Sequence, residues 1–262
     1  MLKIALISLN QKWEDKQYNL RRSADLTNQA AALGAELVIF PEMTLTGFSL
    51  NTELSAEDAH TSSSVTAFSE LAVQNGLALI AGVVLQTGTK SANTLIAFSK
   101  DGIEQARYAK IHPFSFSGEH RYFQAGNCLS TMQMSDLKLG FSICYDLRFP
   151  ELYSALAKDC DVLVNIANWP KCRLKHWETL LQARAIENQT YMIGVNRVGT
   201  DGNGLEYESS SMIFDANGER IEPIITEGEI DLFELSLQSL QAFRSDFSTK
   251  QDRQPELYRA II

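Results

Sequence analysis

Three residues of complementary chemistry stand where strand-like runs break off. Cys144 follows Leu139-Gly140-Phe141-Ser142-Ile143, a strand-like run, and leads into Tyr145-Asp146-Leu147-Arg148-Phe149-Pro150-Glu151, a helix start. A strand holds such a thiol from behind, and backbone N–H groups ahead of it favour a thiolate. Glu42 comes directly after Leu37-Val38-Ile39-Phe40-Pro41, where proline fixes the exit from a buried strand. Lys110 ends the strand-like run Ile103–Ala109 and precedes Ile111-His112-Pro113-Phe114, another sharp exit. Each alone has an ordinary explanation: a small buried hydrophobe, a helix cap or ion-pair partner, an exposed strand end. Together they supply what amide cleavage needs, namely a nucleophile, a proton carrier and a cation for the tetrahedral oxyanion. A free cysteine has a pKa of about 8.5, so a nearby carboxylate base and an ammonium both help to generate the thiolate. Glu42 would take the thiol proton, pass it to departing ammonia and then activate water against the thioester. Lys110 and the Tyr145 backbone N–H would hold the oxyanion.

Rival chemistries find less support. There is no His-Glu-x-x-His and no Cys/His cluster, so a metal site is not expected. Gly202-Asn203-Gly204 reads as a turn rather than a dinucleotide fingerprint. Gly140-Phe141-Ser142-Ile143-Cys144 nearly spells the serine-hydrolase elbow, but Cys replaces the last Gly, which leaves Ser142 inside the strand. Cys128 falls in a loop, Cys160 in a link after a helix, and Cys172 in a polar stretch before the next. His112, His120 and His176 would be the bases of a Cys-His hydrolase, a weaker reading than Glu-Lys-Cys. Arg184 and Glu187, at i, i+3 spacing, are expected to pair without chemistry.

The elements that must position these residues alternate along the chain. Strands are expected at 2–9, 37–40, 77–84, 93–98 and 103–110, the last two joined by a Lys100-Asp101-Gly102 turn. Helices are expected at 16–33, stopped by Gly34, and from the Thr61-Ser62-Ser63-Ser64 cluster to Asn75-Gly76. The second half repeats the pattern: strand 137–143, helix 149–158, strand 162–167, helix 174–188, strand 191–198. Shorter strands follow at 210–215, 219–224 and 230–235, and then a polar tail. Hairpins mixed with crossovers imply an α/β fold with mixed sheets and outer helices, read as one domain over 1–262, its tail (about 236–262) packing on the domain or across a dimer.

The balance of 23 basic and 32 acidic residues, net charge −9, argues against nucleic-acid or anionic-membrane partners. No stretch approaches the ~20 apolar residues of a membrane helix, and the apolar start reads as a first strand rather than a leader. Four scattered cysteines suit a reduced, cytoplasmic protein.

Phe40-Pro41-Glu42-Met43, Tyr108-Ala109-Lys110-Ile111-His112 and Cys144-Tyr145-Asp146-Leu147-Arg148-Phe149-Pro150-Glu151 resemble the Glu-Lys-Cys signatures of the nitrilase, or carbon–nitrogen hydrolase, superfamily. The resemblance runs over almost the whole chain. It implies a four-layer α-β-β-α sandwich, no metal or organic cofactor, and a homodimer built by extending the sandwich. It also implies a second glutamate near the lysine. Glu119, in Ser117-Gly118-Glu119-His120-Arg121, fits, although an ordinary loop carboxylate is the alternative. Asn168-Trp169-Pro170, Arg173, His176-Trp177, the run 183–189, and Asn196-Arg197-Val198-Gly199-Thr200-Asp201-Gly202-Asn203-Gly204 look like the bacterial omega-amidase branch. Such enzymes hydrolyse the terminal amide of 2-oxoglutaramate or 2-oxosuccinamate. Other amidases of the superfamily act on deaminated glutathione, N-carbamoyl amines or nitriles, and a catalytically silent interaction protein is the reading from another class. A carboxylate on the substrate calls for arginine. Arg148 and Arg173 are the candidates, with pairing to Asp146 or Glu151 an equal alternative for Arg148. Trp169 and Phe116 form a pocket wall or else pack in the core.

Overall fold

The computed structural model describes residues 1–261. In chain order the strands are β1 (Leu2–Ile7), β2 (Leu37–Ile39), β3 (Glu57–Asp58), β4 (Ala78–Thr87), β5 (Lys90–Phe98), β6 (Glu104–Ala109), β7 (Thr131–Met134), β8 (Leu137–Ile143), β9 (Val162–Ala167), β10 (Tyr191–Asn196), β11 (Gly199–Thr200), β12 (Glu206–Tyr207), β13 (Met212–Phe214), β14 (Arg220–Ile221), β15 (Ile225–Glu227) and β16 (Ile230–Leu235). The helices are α1 (Lys16–Ala32), α2 (Thr52–Ser55), α3 (Ser63–Asn75), α4 (Glu119–Tyr122), α5 (Pro150–Leu156), α6 (Leu174–Asn188), α7 (Leu237–Asp246) and α8 (Pro255–Ile261).

Two sheets carry the fold. The first runs β15-β16-β1-β2-β4-β5-β6, with β3 beside β4, and the second β14-β13-β10-β9-β8-β7. Each has a parallel centre, β1-β2-β4 and β8-β9-β10, flanked by antiparallel strands. Side-chain alternation decides the layering. Leu2, Ile4 and Leu6 of β1 face Leu137, Leu139, Phe141 and Ile143 of β8 and Val162, Val164 and Ile166 of β9 in one core between the sheets. Ala5 and Ile7 point the other way, onto Leu26 and Ala30 of α1 and Phe68, Leu71 and Ala72 of α3. On the far side Leu163 and Met192 meet Leu152, Tyr153 and Leu156 of α5 and Trp177, Leu181 and Ala185 of α6. The expected four-layer α-β-β-α sandwich is therefore present, its strands apolar on both faces because both are covered.

Local chemistry sets the element ends. Asp15 caps α1 by accepting the Tyr18 N–H, Ser62 caps α3 through Val65 N–H, and α3 stops at Gly76 in the left-handed region. The turn before Ile103 closes as expected, with Gly102 N–H donating to Ser99 O. Several elements escaped the sequence reading. β4 continues to Thr87 and turns tightly at Gly88 into β5, β7 forms an edge strand, and residues 219–224 shorten to the two of β14. The polar tail is not merely tail. α7 buries Leu240 in the inter-sheet core, and Arg244 pairs with Asp161 at 2.7 Å. Ile262 lies outside the described residues.

Glycine permits one close approach that matters for the site. A Cβ built on Gly82 of β4 would lie 2.3 Å from the Met43 backbone N and 2.9 Å from the Glu42 Cα. Thr44 N–H donates to Gly82 O, and Gly82 N–H to Thr44 Oγ1, both at 2.9 Å, so the turn holding Glu42 is zipped to β4. Gly82→Ala should therefore push that turn away and cost about 2–3 kcal/mol, as overpacking does. A lowered denaturation midpoint with an unchanged slope is the expected result; an unchanged midpoint would show that the turn yields freely.

Candidate active site

The residues singled out converge at the carboxyl ends of strands in both sheets, where open α/β sheets commonly place ligands. Glu42 follows β2, Lys110 follows β6, and Cys144 follows β8. Lys110 Nζ lies 3.1 Å from Glu42 Oε1 and 3.2 and 2.9 Å from Glu119 Oε1 and Oε2. All three side chains are buried. Asn93 Nδ2 donates to both carboxylates, at 2.7 Å to Glu42 and 3.1 Å to Glu119. The second Glu42 oxygen accepts the Asn168 N–H at 2.9 Å, and the second Glu119 oxygen accepts the Phe114 N–H. Every carboxylate oxygen thus has a donor, which is what makes burying three charges tolerable. Burial opposes the charge on Lys110, but Glu119 and Glu42 outweigh it and raise its pKa above the ordinary lysine value.

Cys144 occupies a strained bend with φ of +46°, a conformation rare for a residue with a side chain. Asp146 holds this elbow. Its Oδ2 accepts the Ile143 N–H at 3.0 Å and the Tyr108 hydroxyl at 2.7 Å, while its Oδ1 lies 2.9 Å from the His112 N and 2.7 Å from His112 Nδ1. One buried carboxylate therefore ties the bend carrying Cys144 to the strand end carrying Lys110. Arg184 braces the same bend from α6, donating to Leu147 O at 3.2 and 2.9 Å while pairing with Glu187 at 3.1 Å. The sulfur lies 4.0 Å from Asn168 O. Burial pushes the thiol well above its ordinary pKa, Glu42 pushes it the same way, and Lys110 opposes them. Two carboxylates against one ammonium leave the cluster net negative, so it disfavours a resting thiolate and suits removal of the proton during attack.

In front of the sulfur lies a cavity of about 650 Å³. Cys144, Lys110, Tyr145 and Asn168 line its inner part, and Glu42 and Glu119 stand buried behind Lys110. The Tyr145 backbone N–H belongs to the first turn of the short 3-10 helix Cys144–Arg148. Arg148 and Arg173 both line the cavity. Arg148 pairs with neither Asp146 nor Glu151; its guanidinium lies 4.9 Å over Trp169 and 5.9 Å over Tyr145. Arg173 lies 5.7 Å over Phe114, and among the described residues neither arginine joins an ion pair. Trp169 is both wall and core, lining the cavity while its ring meets Trp177 at 5.4 Å. Phe116 is no core residue, being 86% exposed at the cavity's lip.

The other sequence candidates fall away from the sulfur. Ser142 is buried in β8, bonding Val164 O and the Tyr153 hydroxyl. His112 stacks on Phe149 and serves Asp146, His176 is exposed on α6, and His120 is exposed on α4. Cys128 and Cys172 are exposed and Cys160 is buried. Among the described residues no cluster of three or more metal-binding side chains occurs, and no helix is long and apolar enough to cross a membrane. Asn93, Asn168 and Asp146 were not foreseen as site residues.

The carbon-nitrogen hydrolase family model matches residues 3–245. The chain belongs to the carbon–nitrogen hydrolase family. It is 38% identical over 255 residues to omega-amidase YafV of Yersinia enterocolitica, with 96% of each chain covered. It is 34% identical over 238 residues to 2-oxoglutaramate amidase of Paenarthrobacter nicotinovorans, covering 86% of this chain and 81% of that one. The crystal structure of XC1258 from Xanthomonas campestris, a CN-hydrolase superfamily protein with an arsenic adduct in its active site, aligns with a TM-score of 0.90. Identity there is 32%, over 97% of both chains. As a carbon–nitrogen hydrolase, this protein is an enzyme acting on carbon–nitrogen bonds.

A raised thiol pKa has a direct readout. Alkylation of Cys144 by iodoacetamide, followed by peptide mapping to separate it from Cys128 and Cys172, should be slow at neutral pH. The rate should climb about tenfold per pH unit up to and beyond the ordinary cysteine range. A rate already at its plateau at pH 7 would show a resting thiolate instead.

Proposed function

We propose that this protein is a cysteine amidase that cleaves the terminal amide of a small 2-oxo acid, of the 2-oxoglutaramate or 2-oxosuccinamate type, through a thioester on Cys144. The observation that carries the reading is the meeting, in one cavity, of Cys144 and Lys110 with two guanidiniums that have no carboxylate partner among the described residues. An anionic substrate would supply that partner, and planar guanidinium suits a carboxylate. The similarity to proteins named omega-amidase and 2-oxoglutaramate amidase supports the same substrate class.

In this mechanism the amide carbonyl lies between the sulfur and Lys110. Glu42 accepts the thiol proton as sulfur attacks, and the carbonyl oxygen becomes an oxyanion held by Lys110 Nζ and the Tyr145 backbone N–H. The C–N bond then breaks, and Glu42 gives its proton to the leaving nitrogen, so that ammonia departs and a thioester remains. Water, losing a proton to Glu42, attacks the thioester and releases the carboxylic acid, and the thiol is restored. Glu119 does no proton transfer in this scheme. It keeps Lys110 charged and oriented, which matters because removing an oxyanion donor typically costs 10²–10³ in rate. Arg173, beside Phe114 at the head of α6, is the favoured carboxylate clamp, with Arg148 the alternative. A small soluble substrate requires neither nucleic acid nor membrane, and a homodimer in the cytoplasm remains part of the proposal.

Ammonia release should be strongest with 2-oxoglutaramate or 2-oxosuccinamate against deaminated glutathione, an N-carbamoyl amine and a nitrile. Preference for any of the latter three would replace the substrate assignment. Cys144→Ala should abolish turnover, and undiminished activity would end the mechanism. In Glu42→Gln, acid quench and intact mass measurement should reveal any acyl group trapped on Cys144 when deacylation is the slower step.

The clamp is tested separately. Arg173→Met should raise KM for carboxylate-bearing amides about tenfold or more and leave a neutral amide little changed. An equal effect on both would assign Arg173 a structural role.

A further inference from the structure

The segment Asn196-Arg197-Val198-Gly199-Thr200 leaves β10 and enters the β11–β12 ribbon, which lines the cavity through Asp201, Asn203, Leu205 and Tyr207. Asn196 secures the neighbouring wall. Its Oδ1 accepts the Trp169 N–H and its Nδ2 donates to Trp169 O, both at 2.8 Å. Arg197 is more unusual. It is fully buried yet joins no ion pair among the described residues, a costly arrangement for a cation. Burial pulls its pKa below the ordinary arginine value, while Tyr207 and Asp201 act in the opposite sense.

The contacts show what that burial achieves. Nε donates to Val198 O at 3.2 Å, and Nη2 to Thr200 O at 3.3 Å and to Gln11 O at 2.9 Å. The guanidinium lies 4.7 Å over the Tyr207 ring. Tyr207 in turn donates its hydroxyl to Asp201 Oδ2 at 3.0 Å, and Asp201 Oδ1 accepts the N–H groups of Asn203 and Leu205 at 2.8 and 2.9 Å. Nη1 has no hydrogen-bond partner and rests against Gly47, where a Cβ would stand 3.2 Å from it and 3.3 Å from the Trp13 ring. Trp13 also fills the space a Cβ on Gly202 would need. The ribbon, the Trp13 turn and the Gly47 turn therefore meet at one guanidinium. Gln11 extends the link, because its Nε2 donates to the backbone oxygens of Glu42, Met43 and Thr44 at 3.1, 3.0 and 3.3 Å.

We propose that Arg197 is a positioning residue for substrate selection: its buried guanidinium locks the ribbon carrying Tyr207 against the turn carrying Trp13 and so fixes the wall on which the substrate lies beyond its scissile amide. This rests on the amidase reading above. A planar cation is needed because it stacks on a ring while serving acceptors at its edge, which an ammonium does not do.

The test compares the wild type with Arg197→Met and Arg197→Lys on two amides, 2-oxoglutaramate and propionamide, the second leaving most of the cavity empty. In Arg197→Met, kcat/KM for 2-oxoglutaramate should fall about tenfold further than for propionamide, chiefly through KM. Arg197→Lys should recover part of the difference. Hydrogen exchange should quicken at amides 11–14 and 198–207 and stay unchanged in β8 and β9. Equal losses on the two amides, or unchanged exchange in the ribbon, would overturn the assignment. Should Arg197→Met fail to fold, Arg197→Lys carries the same comparison, with a smaller difference expected between the amides. A wild type that hydrolyses neither amide would defeat the amidase reading, and the exchange measurement would then decide the positioning role by itself.

Discussion

The site depends on one ammonium buried between two carboxylates. Lys110 at 3.1 Å from Glu42 and 2.9 Å from Glu119 makes an arrangement that water would not stabilise and the interior tolerates only if all partners are present. Removing the lysine would leave two buried carboxylates in mutual repulsion; removing one carboxylate would free the ammonium to move. The neighbours follow from this demand. Asn93 supplies a donor shared by both acids, Phe114 N–H a second donor to Glu119, and Asn168 N–H a second donor to Glu42. The strand ends before Glu42 and Lys110 and the short helix α4 are held together because their three charges must be.

That cluster also decides the state of the sulfur. Burial pushes the Cys144 thiol well above its ordinary pKa, Glu42 and Glu119 push it the same way, and Lys110 opposes them. In the proposed mechanism the base serves at the moment of attack, when the proton must leave, and the cation a moment later, when charge appears on the carbonyl oxygen. Glu119 completes the pairing of Lys110, which in the proposed mechanism leaves Glu42 free to exchange a proton.

Much of this was legible in the sequence because the signals were abrupt. Glu42 and Cys144 each follow an apolar run that stops without a polar transition, Lys110 closes an alternating strand, and their order along the chain resembles a known family. The alternation of strands and helices pointed to mixed sheets with outer helices, and the four-layer sandwich came with the family resemblance. Other features depended on partners distant in the chain. Asn93 looks like any polar residue in a hairpin, and Asn168 like a loop starter; only the fold sets them 51 and 126 positions from Glu42 in sequence yet against it in space. Asp146 invited pairing with nearby Arg148, but the Tyr108 hydroxyl and the Ile143 and His112 N–H groups claimed it first. Phe116 could not be placed because a short 3-10 turn gives no periodic face. α7 hid in a polar tail, since a single buried leucine, Leu240, with two flanking apolar residues is enough to dock it.

Glu42 and Lys110 belong to one sheet, Cys144 and Asn168 to the other, and the bonds from Asn168 to Glu42 and from Tyr108 to Asp146 cross between them. The groups of the proposed mechanism are thus assembled across a greasy interface rather than within a covalently continuous element. A small sliding of one sheet over the other would part base from nucleophile while every strand kept its own ladder. Activity is therefore the most sensitive gauge of how the two halves are seated. Under heat or denaturant it should fade before the loss of secondary structure is visible.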